Sequence, residues 1–419
     1  MATQKLSEHD LIRALPLGAI QAKLVEALES SDESGVADAV DLLLSQGAYH
    51  SASDIHIEPW SQVLSIRYRI DGILQQVATL PRQYQLKLIA RIKIIADLVV
   101  YRKDVPQDGR IDHEKTSSGR SMRVSTVPTV NGEKVVIRVL GDGQELYHLE
   151  TLGFPDLIVA DLRQLILRSQ GTLLLTGPSS SGKTTTIYAL LHEMMTLQKH
   201  TTNIVTIEDP VENTMDRISQ LQVNATVDFT FENALRSILR QDPEVIMVGE
   251  IRDMETARMA VQAGLTGHFV ISTIHSGTAA GVFTRLLDMG IEPFLVASSL
   301  SGVLAQRLLR LNCPACTRPY NPDPLFLRQL GAVNGKYYKG QGCDECKNIG
   351  YRGRASIGEL LPVGLEIAEM ILTRPTTAQL NSLAVEQGMK TLADDGLDKA
   401  KKGITTIEEL FRVLPPSIS

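Results

Sequence analysis

The stretch Leu173-Leu174-Leu175-Thr176-Gly177-Pro178-Ser179-Ser180-Ser181-Gly182-Lys183-Thr184-Thr185 decides the fold class of this 419-residue chain. Its apolar start reads as a buried strand, residues 177–184 fit G-x-x-x-x-G-K-[ST], and residues 185–195 continue with helical spacing. Strand, glycine loop and helix in that order make a phosphate cradle. Glycine lets backbone N–H groups turn towards the phosphate at a helix N-terminus, where the dipole also favours negative charge. Lys183 is expected to neutralise β/γ-phosphate charge and the Thr184 hydroxyl to hold Mg²⁺. Gly177, Pro178, Ser179, Ser180, Ser181, Gly182, Lys183, Thr184 and Thr185 are therefore the candidate nucleotide-binding residues.

Outward from this loop, apolar strand-like runs at 172–176, 203–207, 245–248 and 268–273 alternate with helical stretches. That alternation predicts an α/β domain with a parallel sheet covered on both faces. Two of the runs end in acid: Ile204-Val205-Thr206-Ile207 in Glu208-Asp209, and Val245-Ile246-Met247-Val248 in Gly249-Glu250. Ligands of such sheets bind beyond the strand C-termini, so Glu208 and Glu250 are expected to reach the γ-phosphate, Mg²⁺ and attacking water. Capping of the following turns is the plainer alternative. Gly249 stands where an aspartate is usual, which makes metal contact indirect or shared with Glu208. Arg236 and Arg240 are helical neighbours suited to a γ-phosphate, to acids across a subunit interface, or simply to a solvated face. His268 and His275 bracket a strand and its exit, where a histidine can sense phosphate, place water, or serve only in packing.

Upstream, Leu11, Ile12, Leu15, Ile20, Leu24, Val25 and Leu28 are spaced for one or two amphipathic helices, and residues 29–35 read as a linker. The alternating run Leu64-Ser65-Ile66-Arg67-Tyr68-Arg69-Ile70 before Asp71-Gly72 reads as a strand and hairpin turn. An apolar helix at 86–100 and strands at 121–127 and 134–140 complete a small α+β domain. Downstream, all four cysteines fall in Cys313-Pro314-Ala315-Cys316 and Cys343-Asp344-Glu345-Cys346, with 26 residues between the pairs. That spacing suits a four-thiolate Zn²⁺ site better than a redox pair, and a closed set of ligands implies a structural metal. Residues 366–413 return to helical spacing. The expected organisation is a helical segment and linker at 1–34, an α+β domain at 35–145, the phosphate-binding domain at 146–311, a four-cysteine metal-binding element at 312–356 and C-terminal helices at 357–419.

Hydrophobic residues make up 43% and charged residues 21%, enough apolar surface for several cores. The net charge of −6 lacks the positive field of a nonspecific nucleic-acid binder, so no nucleic-acid partner is expected. No run approaches 18 apolar residues and the start of the chain is polar, which places the protein in the cytoplasm with any membrane attachment through a partner.

Further segments carry a resemblance: Ala52-Ser53-Asp54-Ile55-His56-Ile57-Glu58-Pro59, Tyr68-Arg69-Ile70-Asp71-Gly72, Gln107-Asp108-Gly109-Arg110 and Arg123-Val124-Ser125-Thr126 in the first part of the chain. Leu239-Arg240-Gln241-Asp242-Pro243, Gly249-Glu250-Ile251-Arg252-Asp253, Leu265-Thr266-Gly267-His268 and Ser272-Thr273-Ile274-His275 continue it, with the four cysteines. Together they resemble the bacterial secretion ATPases of type II secretion and type IV pilus assembly, the GspE/PilB family. The resemblance implies a PAS-like domain ahead of a RecA-like P-loop NTPase domain, ATP, Mg²⁺ and Zn²⁺ as ligands, and a homo-hexamer. It also implies a place at the inner membrane through a platform protein and a membrane-anchored docking protein. It makes Glu208-Asp209 an acidic box, Glu250 the Walker B glutamate and His268 to His275 a histidine box. Arg110 and Arg123 match arginines laid over the nucleotide, and Arg236 and Arg240 match further phosphate-end arginines. About 34 residues precede the small domain, where secretion members often carry a longer docking domain. The four-cysteine element favours the secretion and pilus-extension branches over retraction. The alternatives from other classes are a RecA-like nucleic-acid translocase or helicase, and a nucleotide-gated scaffold with negligible turnover.

Overall fold

The computed structural model describes residues 15–30, 34–141, 148–197, 201–332 and 335–414. The chain divides into two compact units, Met1–Glu145 and Leu146–Ser419.

The first unit contains α1 (Leu17–Glu29), α2 (Gly35–Tyr49), β1 (Ala52–Pro59), β2 (Val63–Ile70), β3 (Ile73–Pro81), α3 (Gln85–Ile95), β4 (Gln107–Ile111), β5 (Met122–Thr129) and β6 (Gly132–Val139). Its strands form an antiparallel sheet in the order β3-β2-β1-β6-β5-β4. Period-two alternation buries Leu64, Ile66 and Tyr68 on one face, and Asp71 and Gly72 take positive φ (48° and 81°) to close the hairpin after them. The expected helix at 86–100 stops early. Asp97 adopts φ 57° and Leu98 N–H donates to Lys93 O at 2.8 Å, a left-handed cap made without glycine. Helix α1, expected as a leading segment apart from the domain, buries Ile20 and Leu24 in the core of this unit. Leu11 and Ile12 lie outside the described residues.

The second unit is built on a seven-stranded sheet. Along the chain come α4 (Asp156–Ile166), β7 (Gly171–Thr176), α5 (Lys183–Leu197), β8 (Ile204–Glu208), β9 (Ser219–Gln222), α6 (Phe231–Ile238), β10 (Val245–Val248), α7 (Met254–Leu265) and β11 (Phe269–Ile274). There follow α8 (Ala279–Asp288), α9 (Pro293–Ser299), β12 (Leu300–Asn312), β13 (Thr317–Tyr320), α10 (Pro324–Gln329), β14 (Tyr337–Gly340) and β15 (Tyr351–Pro362). The chain ends in α11 (Leu365–Leu372), α12 (Thr377–Glu386), α13 (Leu392–Lys401) and α14 (Ile407–Val413).

The sheet order is β15-β12-β7-β11-β10-β8-β9, parallel throughout except for β15, which runs antiparallel to β12. Every residue of β7, β8, β10 and β11 is buried, the signature of central strands covered on both faces. Threonine or aspartate N-caps open the helices that leave the sheet: Thr230, Asp253 and Thr278 each accept from the N3 amide. The cysteine segment is an insert between two strands of the main sheet, because β12 and β15 pair along their length on either side of it.

Candidate functional site

The phosphate loop leaves β7 at its C-terminal end. Gly177 and Gly182 have φ of 150° and 88°, and a Cβ on Gly177 would stand 2.5 Å from Gln306 O, so glycine is needed there for conformation and for space. Lys183 opens α5 and its Nζ folds back to donate to Gly177 O and Pro178 O, both at 2.9 Å. Burial pulls its ammonium below the ordinary lysine value and the Arg307 charge adds to this, while Glu250 acts in the opposite sense. Ser181 Oγ and Thr186 Oγ1 are buried hydroxyls with no protein partner, at the first turn where a nucleotide phosphate and its Mg²⁺ are held in such loops. The residues present thus fit a Mg²⁺-nucleotide.

Glu250 follows β10 and is one-fifth exposed. It accepts from His275 Nε2 at 2.9 Å and from Arg252 Nε at 2.8 Å, so that Lys183, Glu250 and His275 share one edge of the sheet. Thr176 and Ser276 lock that edge: Thr176 Oγ1 donates to Ser276 O at 3.0 Å and accepts from Ser276 N–H at 2.8 Å.

Glu208 is placed differently from the expectation. It is 3% exposed, with Oε1 accepting from Thr206 at 2.6 Å and Gln220 at 3.1 Å and Oε2 from Tyr188 at 2.5 Å. Both oxygens are taken by protein donors, so it anchors a buried network instead of presenting an open ligand. His268 is also displaced from the expected role. It precedes β11 at the edge away from the loop, its carbonyl accepting from Gly171 N–H and its ring Nδ1 lying 3.1 Å from Ala263 O. Six strand residues at roughly 3.3 Å each put about 20 Å between it and the loop edge. The two histidines share a strand, not a site.

The ion pair of Arg236 and the hydrogen bond of Arg240 are made within their own segment and not to the loop. Helix α6 starts with Phe231 against Gly249 and ends where Gln241 O and Asp242 O accept from Asn203 Nδ2, ahead of β8. Arg236 pairs with Glu232 at 2.5 Å, and Arg240 donates to Arg236 O at 3.0 Å. In the first unit, Arg110 and Arg123 stand directly opposite each other on β4 and β5, with Arg138 opposite Arg123 on β6. Three like charges in a row repel, and Asp112 on Arg110 (3.2 Å) and Asp54 on Arg138 (3.1 Å) relieve them in part.

The four cysteine sulfurs lie within 4.8 Å of one another, with separations of 3.8 Å (Cys313–Cys343, Cys316–Cys346) and 3.7 Å (Cys343–Cys346). A tetrahedron of thiolates ~2.3 Å from Zn²⁺ has edges of about 3.8 Å, so the donor set fits that ion. Burial pushes the Cys313 thiol up to about 11. Burial would also raise Cys346, but N–H donation from Cys343 (3.2 Å) and Gly350 (3.3 Å) holds it at about 7.

With this geometry in hand, the type II/IV secretion system protein model matches residues 29–412. The chain belongs to that family. It is 45% identical over 403 residues to the type II secretion system ATPase E of Vibrio cholerae, covering 94% of this chain and 78% of that protein. It is 44% identical over 385 residues to the type IV pilus assembly ATPase PilB of Thermus thermophilus, covering 91% of this chain and 43% of that one. The fold matches the ADP-bound pilus retraction motor PilT (TM-score 0.61, 24% identity, 90% of this chain and 97% of that chain). It also matches the Legionella pneumophila ATPase DotB (TM-score 0.64, 20% identity, 88% and 93%).

The secretion-family domain holds residues around the loop that the motifs did not mark. Gln306 Nε2 donates to Ser181 O at 2.8 Å from the floor of the loop, and Arg307, Glu359 and Tyr188 are buried around it. The available signal was Gln306-Arg307 interrupting an otherwise apolar run on a central strand. Among the described residues, no helix is long and apolar enough to cross a membrane.

Proposed function

We propose that this chain is the Mg²⁺-dependent ATPase motor of a type II secretion or type IV pilus assembly machine, hydrolysing ATP to ADP and phosphate as a homo-hexamer. The observation that carries the reading is the meeting of Lys183, Glu250 and His275 over a glycine loop at the strand C-terminal edge, in a chain so similar to named secretion and pilus ATPases. The loop N–H groups and Lys183 bind the β- and γ-phosphates once the Lys183 ammonium exchanges its two loop carbonyls for phosphate oxygens. Thr184 holds Mg²⁺, which supplies charge neutralisation. Glu250, fixed by Arg252 and His275, orients the attacking water and takes its proton. Arg110 and Arg123 are assigned to the nucleotide phosphates, and Arg236 and Arg240 to contacts between neighbouring copies in the ring. Cys313, Cys316, Cys343 and Cys346 hold Zn²⁺ as a staple. The ring works on the cytoplasmic side of the inner membrane, on a platform protein and a membrane-anchored docking protein.

The reading is tested by ATP turnover with the cytoplasmic part of a platform protein, and with duplex or single-stranded DNA in its place. Stimulation by the protein and not by DNA is expected. DNA stimulation that collapses with salt would return the chain to the translocases.

A further inference from the structure

Behind the phosphate loop lies a buried pair of opposite charges, Arg307 on β12 and Glu359 on β15, 8% and 3% exposed. Register sets Ala305 opposite Glu359 and Arg307 opposite Ile357, so the two are diagonal neighbours on one face of an antiparallel pair. Burial lowers the affinity of Arg307 for its proton, and the Glu359 charge offsets that loss.

On the loop side, Arg307 donates from Nη1 to Gln306 O at 2.9 Å and from Nη2 to Gly277 O at 2.8 Å. Those bonds use two of the five N–H groups an arginine carries. Its Nη1 stands 3.2 Å from where a Cβ on Gly177 would be, and Gly277 lies two residues past His275. One guanidinium therefore joins strand β12, the exit of β11 and the first turn of the loop. On the far side, Glu359 Oε1 accepts from Ala279 N–H at 2.9 Å and Oε2 from Leu392 N–H at 3.4 Å. These are the first residues of α8 and α13, whose N-termini carry the positive ends of their dipoles. The neighbouring Gly358 N–H donates to Asp395 of α13 at 3.0 Å, so β15 and α13 are held together at two points.

We propose that Arg307 is a phosphate-positioning residue and that the Arg307–Glu359 pair reports nucleotide occupancy to α8 and α13. Phosphate on the loop adds negative charge on one side of a cation that Glu359 faces from the other. As Arg307 is drawn to the phosphate, its pull on the Glu359 charge weakens and the bonds that the carboxylate already makes to the two helix N-termini tighten. The inference deepens the proposed ATPase reading and rests on it.

The test uses the full chain as wild type, Arg307→Gln, Arg307→Lys and Glu359→Gln. Affinity for MgADP and for a non-hydrolysable ATP analogue is measured by calorimetry, and amide exchange of the segments holding Ala279 and Leu392 by mass spectrometry. Nucleotide should slow exchange at both amides in wild type. Arg307→Gln should bind about tenfold more weakly, the worth of one charge-assisted bond. Arg307→Lys should restore affinity to within about threefold, since it keeps the charge, but not the exchange response, since it lacks the fork. Glu359→Gln should bind at least as tightly as wild type, its competitor for the cation gone, and lose the exchange response. A purely structural pair would weaken both readouts in every variant. Should Arg307→Gln fail to fold, an intact exchange response in Arg307→Lys and Glu359→Gln overturns the inference. A wild type that binds neither nucleotide overturns the ATPase reading and this inference with it, whereas normal wild-type binding with unaltered variants overturns this inference alone.

Discussion

Replacing Cys346 by serine removes the sulfur with the best-prepared surroundings in the cysteine element. It accepts N–H bonds from Cys343 and Gly350 and is 2% exposed. The cysteines form a small cluster of their own with Ile349, while Leu327 and Tyr337 of the same insert are buried in the main core of the unit. Metal binding worth roughly 10–16 kcal/mol in small zinc modules, shared among four thiolates, assigns about 2.5–4 kcal/mol to each. The variant should bind Zn²⁺ about two to three orders of magnitude more weakly. The assay is metal content by mass spectrometry after dialysis against chelators of graded strength, with thermal unfolding alongside. Wild type should retain one Zn²⁺ per chain where Cys346→Ser loses it. The loosened insert should free Tyr320, whose hydroxyl donates to Glu408 at 2.6 Å, and Tyr338, whose carbonyl accepts from Asn312 at 3.0 Å. A wild type without bound metal, or equal retention by the variant, refutes the reasoning.

Gly177→Ala forces a side chain into positive φ at 2.5 Å from Gln306 O, a strain of about 1–3 kcal/mol that should raise KM for ATP by tenfold or more in steady-state kinetics. Glu409→Gln leaves Arg310, 11% exposed and bound to Glu409 through Nε at 2.9 Å, without its charge partner; denaturant unfolding should show a loss of about 3–5 kcal/mol. Burial alone would raise the Glu409 carboxyl, but its bonds to Arg412 and Arg310 hold it below the ordinary value. The unfolded chain therefore takes up the proton first as pH falls. This contribution is fully present above about pH 4.3 and is lost below it, so the acid limb of a pH–stability curve should be shallower in Glu409→Gln.

Much of the second unit was legible because its signals are local. Strand, glycine loop and helix are consecutive in sequence, and the two Cys-x-x-Cys pairs name their own ligands. The misplacements have two physical causes: an element that spans the sheet between residues close in sequence, and side chains from distant elements that close over a residue at its edge. His268 and His275 are seven residues apart, yet a strand carries them to opposite edges. Arg240 lies just past the end of a helix whose start, at Phe231, packs near Gly249. Glu208 ends a strand as expected, but Tyr188 on α5 and Gln220 on β9 close over it, and neither belongs to a motif. Glu359 was silent because its partners, Ala279 and Leu392, are 80 and 33 residues away. Hydrogen bonds to backbone amides leave no residue-type signature on the partner.

The most direct test of the central claim is the Mg²⁺-ATPase rate per chain against protein concentration, for wild type and Glu250→Gln. The account predicts a rate per chain that rises as the ring assembles and that is abolished in Glu250→Gln, with MgATP still bound. A rate per chain independent of concentration and unchanged by the substitution would contradict it.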